Sequence, residues 1–217
     1  MNIELLKRIL SSIILLPVTF LIIMKGSFLF NFFIIFCLVI CSYEWHLMSR
    51  KKKYHMPGFF FLILTFYLTY LLFNFKGNFD LFLIVILICI STDLGGYAFG
   101  KLFKGPKLTK ISPKKTYSGM IGGYLLTVIN IFIFINLPFA LLSSIKINYD
   151  LLIFTLLIST ISQIGDIIIS YFKRLSNIKD TGNIIPGHGG LLDRVDGMIF
   201  AFPISYIILK INIFQFY

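Results

Sequence analysis

Apolar residues run in blocks about as long as a bilayer is thick, separated by short clusters of lysine, arginine, aspartate and glycine. A helix needs about 20 residues to cross the hydrocarbon core. Blocks of that kind lie at 9–24, 27–47, 58–75, 79–99, 118–137, 151–172 and 197–214. They are predicted to be seven membrane-spanning helices, because backbone in lipid must satisfy its own hydrogen bonds. The strict alternation of a membrane β-barrel strand is absent. The fold class expected is therefore all-α, a polytopic integral membrane protein. The fifth block ends against Pro138, which stops or kinks a helix, and the seventh carries Lys210. The first block follows Lys7 and Arg8 as a signal peptide would, but no small-residue cleavage site follows it, so it is expected to be a retained helix.

Composition points the same way. The chain is 58% hydrophobic, 17% aromatic and only 13% charged, against roughly 25% charged in a soluble globule. With seven spans, the N-terminus and the even-numbered loops share one side. That side holds sixteen of the twenty lysines and arginines, and the other holds Lys25, Lys76, Lys146 and Lys210. The positive-inside rule then predicts a cytoplasmic N-terminus. The net charge of +11 becomes a cytoplasmic property suited to anionic lipid headgroups, and no nucleic-acid partner is expected. Cys37, Cys41 and Cys89 all fall within apolar blocks, without metal-ligand spacing, and read as packing residues.

Polar residues collect in two cytoplasmic regions. The first, STDLGGYAFGKLFKGPKLTKISPKKTYSGMIGG, covers 91–123; the second, SQIGDIIISYFKRLSNIKDTGNIIPGHGGLLDRVDG, covers 162–197. Together they hold five of the nine acidic residues. A carboxylate at the centre of a span costs about 2.5–3.5 kcal/mol on insertion scales, so Asp93, near the end of the fourth block, implies a partner or a task. Gly95, Gly96 and Gly100 permit close backbone approach, by another helix or by a ligand. Ser112 before Pro113 reads as an N-cap and first helical position, placing Lys114 and Lys115 in a first turn. Lysines there oppose the helix dipole, and N-termini carrying extra cations bind phosphate well.

In the second region, a helix continued to Arg174 sets Ser162, Asp166 and Ser170 at four-residue intervals on one face. Lys173 and Arg174 continue near that face, and Lys179 and Asp180 follow in a loop. Asp193 and Asp196, three apart, are predicted to share a helical face where the last span begins. Carboxylates beside clustered lysines suggest magnesium bridging to phosphates, since that ion is held by one or two carboxylates plus substrate oxygens and water. Gly187, Gly189 and Gly190 let backbone N–H groups approach a phosphate, and His188 ranks behind the aspartates as a further donor. The cluster reads as a site for a metal-bound polyphosphate at the membrane surface, as an enzyme acting on a phosphorylated lipid requires. A structural salt-bridge network is the plain alternative.

The run SYFKRLSNIKDTGNIIPGHGGLLDRVDG resembles the C-terminal motif of the phosphatidate cytidylyltransferase family, matching from Ser170 through Lys173, Arg174, Lys179, Asp180, Pro186, His188, Gly189, Gly190, Asp193, Arg194 and Asp196. SPKKTYSG and TDLGGYAFGK are similar to the same family's upstream pattern. The resemblance covers roughly the last 125 residues, and over the first 90 it is one of hydropathy only. It divides the chain into N-terminal transmembrane helices at 1–90 and a catalytic transmembrane region at 91–217 with a cytoplasmic polar site. Two departures stand out: Ser118 replaces an acidic residue usual in the family, and Gly197 stands where serine is frequent.

The resemblance implies that CTP and phosphatidate become CDP-diacylglycerol and pyrophosphate, at the cytoplasmic face of the bacterial inner (plasma) membrane. It implies Mg2+ on Asp166, Asp193 and Asp196, with a second cation such as K+ left open and Asp93 a weaker candidate. Lys114, Lys115, Lys173, Arg174, Lys179 and Arg194 would neutralise phosphates, and Ser112 and Thr116 would add hydroxyl contacts. A homodimer in the lipid bilayer is also implied, with Gly95, Gly96, Gly122 and Gly123 open to either a dimer contact or packing within one subunit. The rival readings are a CTP-dependent polyprenol kinase and a transporter of phosphorylated compounds. A transporter is expected to carry its polar residues near mid-membrane, and a kinase releases CDP in place of pyrophosphate.

Overall fold

The computed structural model describes residues 17–75, 80–137, 145–184, 189–214 and 216. Residues 17–25 are helical. They are followed by α1 (Ser27–Ser49), α2 (His55–Phe73), α3 (Asp80–Phe103), α4 (Tyr117–Asn136), α5 (Tyr149–Leu175), the short α6 (Leu192–Val195) and α7 (Met198–Ile211). Lys107 and Thr116 form an isolated antiparallel β bridge. Helices α1 to α5 are long and apolar enough to cross a membrane, in keeping with the all-α, polytopic expectation. The first half of the expected first span lies outside the described residues, and its second half is helical. The expected last span forms a 14-residue helix, shorter than the roughly 20 residues of a full crossing. Phe28, Phe32, Phe36 and Phe60 are exposed on these helices, as lipid-facing side chains of a membrane protein are.

The chain packs as two compact units. One contains the residues up to Phe66 together with Lys173–Val195, and the other contains Tyr67–Phe172 and the residues from Asp196 onward. In the first unit, α1 meets α2 through Trp45. Its indole N–H donates to the His55 carbonyl at 3.0 Å, and its ring occupies the space a side chain at Gly58 would need. Helix α1 also packs on α6.

In the second unit, α3 and α4 form the most intimate pair. A Cβ at Gly95 would lie 2.4 Å from the Gly122 carbonyl oxygen, and one at Gly119 would lie 2.6 Å from that of Gly96. Backbones this close need glycine on both helices, the small-residue packing that drives helix association in lipid. The glycines read in the sequence as open to a helix or a ligand thus meet a helix of the same chain. Buried hydroxyls join a third helix to the pair: Thr92 lies 3.1 Å from Thr127 and 2.8 Å from Ser159 of α5. Asn130 donates to Ser91 at 2.9 Å. Phe82 and Phe202 stack between α3 and α7 with centroids 5.1 Å apart.

The glycine seam yields a paired test. Gly95→Ala forces a methyl onto the Gly122 backbone and is expected to destabilise the protein by about 1–3 kcal/mol. Gly96→Ala, whose methyl would meet only the Gly119 carbonyl at 3.8 Å, is expected to be tolerated. Thermal unfolding in detergent, followed by size-exclusion chromatography, separates the two; equal behaviour refutes the seam.

Candidate active site

The lysine-rich segment after α3 is a compact loop. Lys104 takes a left-handed conformation with φ 54°, and the 107–116 bridge is closed by the Leu108 N–H donating to the Lys115 carbonyl at 2.8 Å. Thr116, with extended backbone, caps α4 by accepting from the Gly119 N–H at 3.1 Å. This corrects the expected helix start. Ser112 caps no helix; its carbonyl accepts from the Lys115 N–H in a turn at 3.0 Å, so Lys114 and Lys115 precede α4 rather than filling its first turn. The tertiary bridge to Lys107 holds Thr116 extended, and the helix begins only after it. Ser118 donates to the Lys104 carbonyl and bonds to Thr116, so the residue that departs from the family pattern closes this loop.

Lys115 forms an ion pair with Asp166 on α5. Ser170, one turn further on, donates to the other Asp166 oxygen at 3.4 Å, which bears out the predicted stripe. Close to this point α5 meets the turn that carries Asp196. Side chains at Gly165 and Gly197 would strike the Asp196 carbonyl and the Ser162 backbone respectively. The Asp196 carboxylate is buried and accepts from the Gly197 N–H at 2.9 Å. Asp93 is exposed on α3.

Asp193 lies in the other compact unit. Helix α6 ends at Val195, and Asp196 and Gly197 form a turn before α7. Asp193 is on α6 and Asp196 is in the turn after it, so the two are not on one helix as expected. Lys173 donates to Asp193 Oδ1 at 2.9 Å, while the Thr181 and Gly190 N–H groups donate to Oδ2 at 2.8 and 3.1 Å. Both side chains of the ion pair are less than a tenth exposed. Removing one partner of such a pair costs about 3–5 kcal/mol. Burial works to raise the Asp193 pKa, but the Lys173 ammonium and the two N–H donors outweigh it and hold the carboxyl below its usual range.

Gly189, at φ +88°, makes the turn that aims the Gly190 N–H at this carboxylate. Gly190 thus spends its N–H within the protein. Arg174 donates to the Ile178 carbonyl at 3.0 Å at the end of α5. Lys179 and Arg194 are exposed. Gly187 and His188 lie outside the described residues.

Sequence reasoning missed Glu44. It is fully buried on α1 and accepts from Thr181 Oγ1 at 3.0 Å and from the Leu191 and Leu192 N–H groups, each at 2.8 Å. The signal was present: Glu44 is the only Asp, Glu, Lys or Arg in an otherwise apolar block, and such residues in membrane helices default to function.

As to a metal, no group of three His, Cys, Asp or Glu side chains gathers for one among the described residues. Magnesium needs only one or two carboxylates when phosphate oxygens complete its shell. Asp166, which meets Lys115 through one oxygen and has only a long hydrogen bond from Ser170 on the other, and Asp196 in the same unit fit that requirement. Asp193 fits it poorly, because three donors already occupy its two oxygens.

Two expectations follow. A group whose folded pKa is depressed contributes stability that is present above its unfolded pKa and lost as pH falls through the folded value. The stability advantage of the native protein over Asp193→Asn is therefore expected in full above about pH 4 and to shrink below it, as read from thermal midpoints at stepped pH. Gly197→Ser places a Cβ 2.4 Å from Ser162 Oγ, so it is expected to lower the midpoint even though serine is frequent there in the similar family. An unchanged midpoint would refute that packing.

The chain matches the model of the cytidylyltransferase family over residues 6–81 and 73–212. It is 35% identical over 207 residues to the phosphatidate cytidylyltransferase of Rickettsia bellii (strain RML369-C), covering 93% of this chain and 89% of that one. Over 207 residues it is 34% identical to the protein of that name from Rickettsia felis (strain ATCC VR-1525 / URRWXCal2), covering 93% and 90%. A shorter match, 41% identical over 131 residues, links it to the one from Staphylococcus aureus (strain COL), covering 58% of this chain and 48% of that one. The similarity to the Rickettsia proteins includes the apolar N-terminal third as well as the polar C-terminal motif, and with the family match it places this chain in the cytidylyltransferase family.

Proposed function

We propose that the protein transfers a cytidylyl group from CTP to phosphatidate at the cytoplasmic surface of a bacterial inner membrane. The observation that carries this reading is the pair of lysine–carboxylate clusters, Lys115 just before α4 with Asp166 in the second half of α5, and Lys173 at the end of α5 with Asp193. Charged groups so placed suit a substrate with one part in lipid and its phosphate in water.

In this reading a phosphatidate oxygen attacks the α-phosphorus of CTP, the α–β P–O bond breaks, and pyrophosphate leaves with the bond's electron pair. Such a transfer needs alignment and charge neutralisation more than covalent help. Lys115 exchanges its contact with Asp166 for a phosphate oxygen, and Lys114, Thr116 and Ser112 border the same loop. Arg174, Lys179 and Arg194 supply positive charge near the Asp193 cluster. Asp166 and Asp196 are the residues that would hold magnesium, and Asp193 and Lys173 act as the clamp of their loop. Bound magnesium would supply charge neutralisation on the phosphates. A homodimer remains part of the reading, with its contact away from the Gly95–Gly122 seam, which is used within one chain.

The test is a product assay on purified protein in nanodiscs with phosphatidate, labelled CTP and magnesium. CDP-diacylglycerol and pyrophosphate are expected in equal amounts, with loss of activity on chelation. Asp166→Asn and Lys115→Met are each expected to lower turnover by about 10²-fold or more. Release of CDP in place of pyrophosphate would make the protein a kinase and overturn the reading.

A further inference from the structure

We propose that Glu44 is a positioning residue for the reaction: a buried carboxylate on α1 that fixes Thr181 and the Leu191–Leu192 backbone, and through them Asp193. The inference rests on the cytidylyltransferase reading and extends it to the N-terminal third of the chain, where the sequence suggested only membrane helices.

An ionised carboxylate taken out of water needs an opposite charge or a full set of donors. Glu44 is in no ion pair among the described residues. Its donors are all neutral, and all belong to the loop that carries Asp193: the Thr181 hydroxyl and the Leu191 and Leu192 N–H groups. The loop in turn leaves room for it. A Cβ at Gly190 would lie 2.5 Å from Glu44 Oε2, and one at Gly182 would lie 3.0 Å from Oε1.

Thr181 links the two carboxylates, its hydroxyl donating to Glu44 and its N–H to Asp193. Asp193 then holds Lys173. The order Glu44, Thr181, Asp193, Lys173 is a continuous hydrogen-bonded relay from α1 to α5. Next to Glu44, Trp45 locks α1 to α2, so the carboxylate projects from a rigid base. Sites supported in this way hold catalytic geometry, and misplacement by about 1 Å costs about 10²-fold in rate.

Glu44→Gln keeps the volume but turns one acceptor into an N–H donor facing an N–H donor of the loop. Its expected result is a fall in kcat of about 10²-fold, with the KM values for CTP and phosphatidate changing far less and any drop in thermal midpoint too small to unfold the protein at the assay temperature. Hydrogen–deuterium exchange at Leu191 and Leu192 is expected to quicken. Thr181→Val is expected to lower kcat in the same direction while Thr181→Ser restores it. The double variant Glu44→Gln/Thr181→Val should be no worse than the poorer single one, because both cut one relay. Unchanged kcat in Glu44→Gln, a loss that merely follows the folded fraction, or strictly additive single effects would overturn the proposal. If the native protein makes no product, the cytidylyltransferase reading falls. The exchange measurement still decides the loop's dependence on Glu44, and unchanged protection at Leu191 and Leu192 sinks it.

Discussion

A carboxylate withdrawn from water must collect donors, and that requirement organises the first compact unit. Glu44 and Asp193 are both largely enclosed, and between them they take up three loop N–H groups besides the Leu191 N–H, a hydroxyl and an ammonium: Thr181, Gly190 and Leu192 supply the N–H groups, Thr181 the hydroxyl and Lys173 the ammonium. Lys173 gives its donor from the end of α5 and Leu192 from the start of α6, and Thr181, Gly190 and Leu191 give theirs from the chain between the two helices. Two acids on different helices thereby tie down both described ends of the connection, at Thr181 and at Gly190–Leu192. The depressed pKa of Asp193 is the electrostatic expression of the same arrangement, since the donors stabilise its charged form more than burial disfavours it.

The second unit solves a different problem with different means. In lipid no hydrophobic drive brings helices together, so contact depends on small residues and on buried hydroxyls. Gly95, Gly119 and Gly122 let α3 and α4 approach to backbone contact, and Thr92, Thr127 and Ser159 tie α5 to them. That packing brings the loop of Lys115 to Asp166. Gly165 and Gly197 likewise draw the Asp196 turn onto α5. Gly95, which the sequence left open to a helix or a ligand, thus serves with its partners to bring helices close enough for charged residues to meet.

Much was legible before folding was considered. The positions of α1 to α5 followed from block length and hydropathy, because lipid leaves backbone no other way to satisfy itself. The stripe of Ser162, Asp166 and Ser170 followed from helical periodicity. What failed was local reading where distant contacts dominate. Ser112–Pro113 has the chemistry of a helix start, yet the Lys107–Thr116 bridge delays α4. Asp193 and Asp196 have helical spacing, yet α6 ends at Val195 and Asp196 falls in the turn after it, where Gly197 packs against Ser162.

The sequence by itself determined the membrane class, the helix positions and the types of residue available for phosphate chemistry, because these depend on composition and on periods of a few residues. Only the tertiary structure decided which acid meets which donor. Glu44 and Leu192 are 148 positions apart, and no local pattern can express a hydrogen bond over that separation. The task of Asp193 changed for the same reason: its three donors come from α5, from Thr181 and from Gly190, and only folding brings them to one carboxylate.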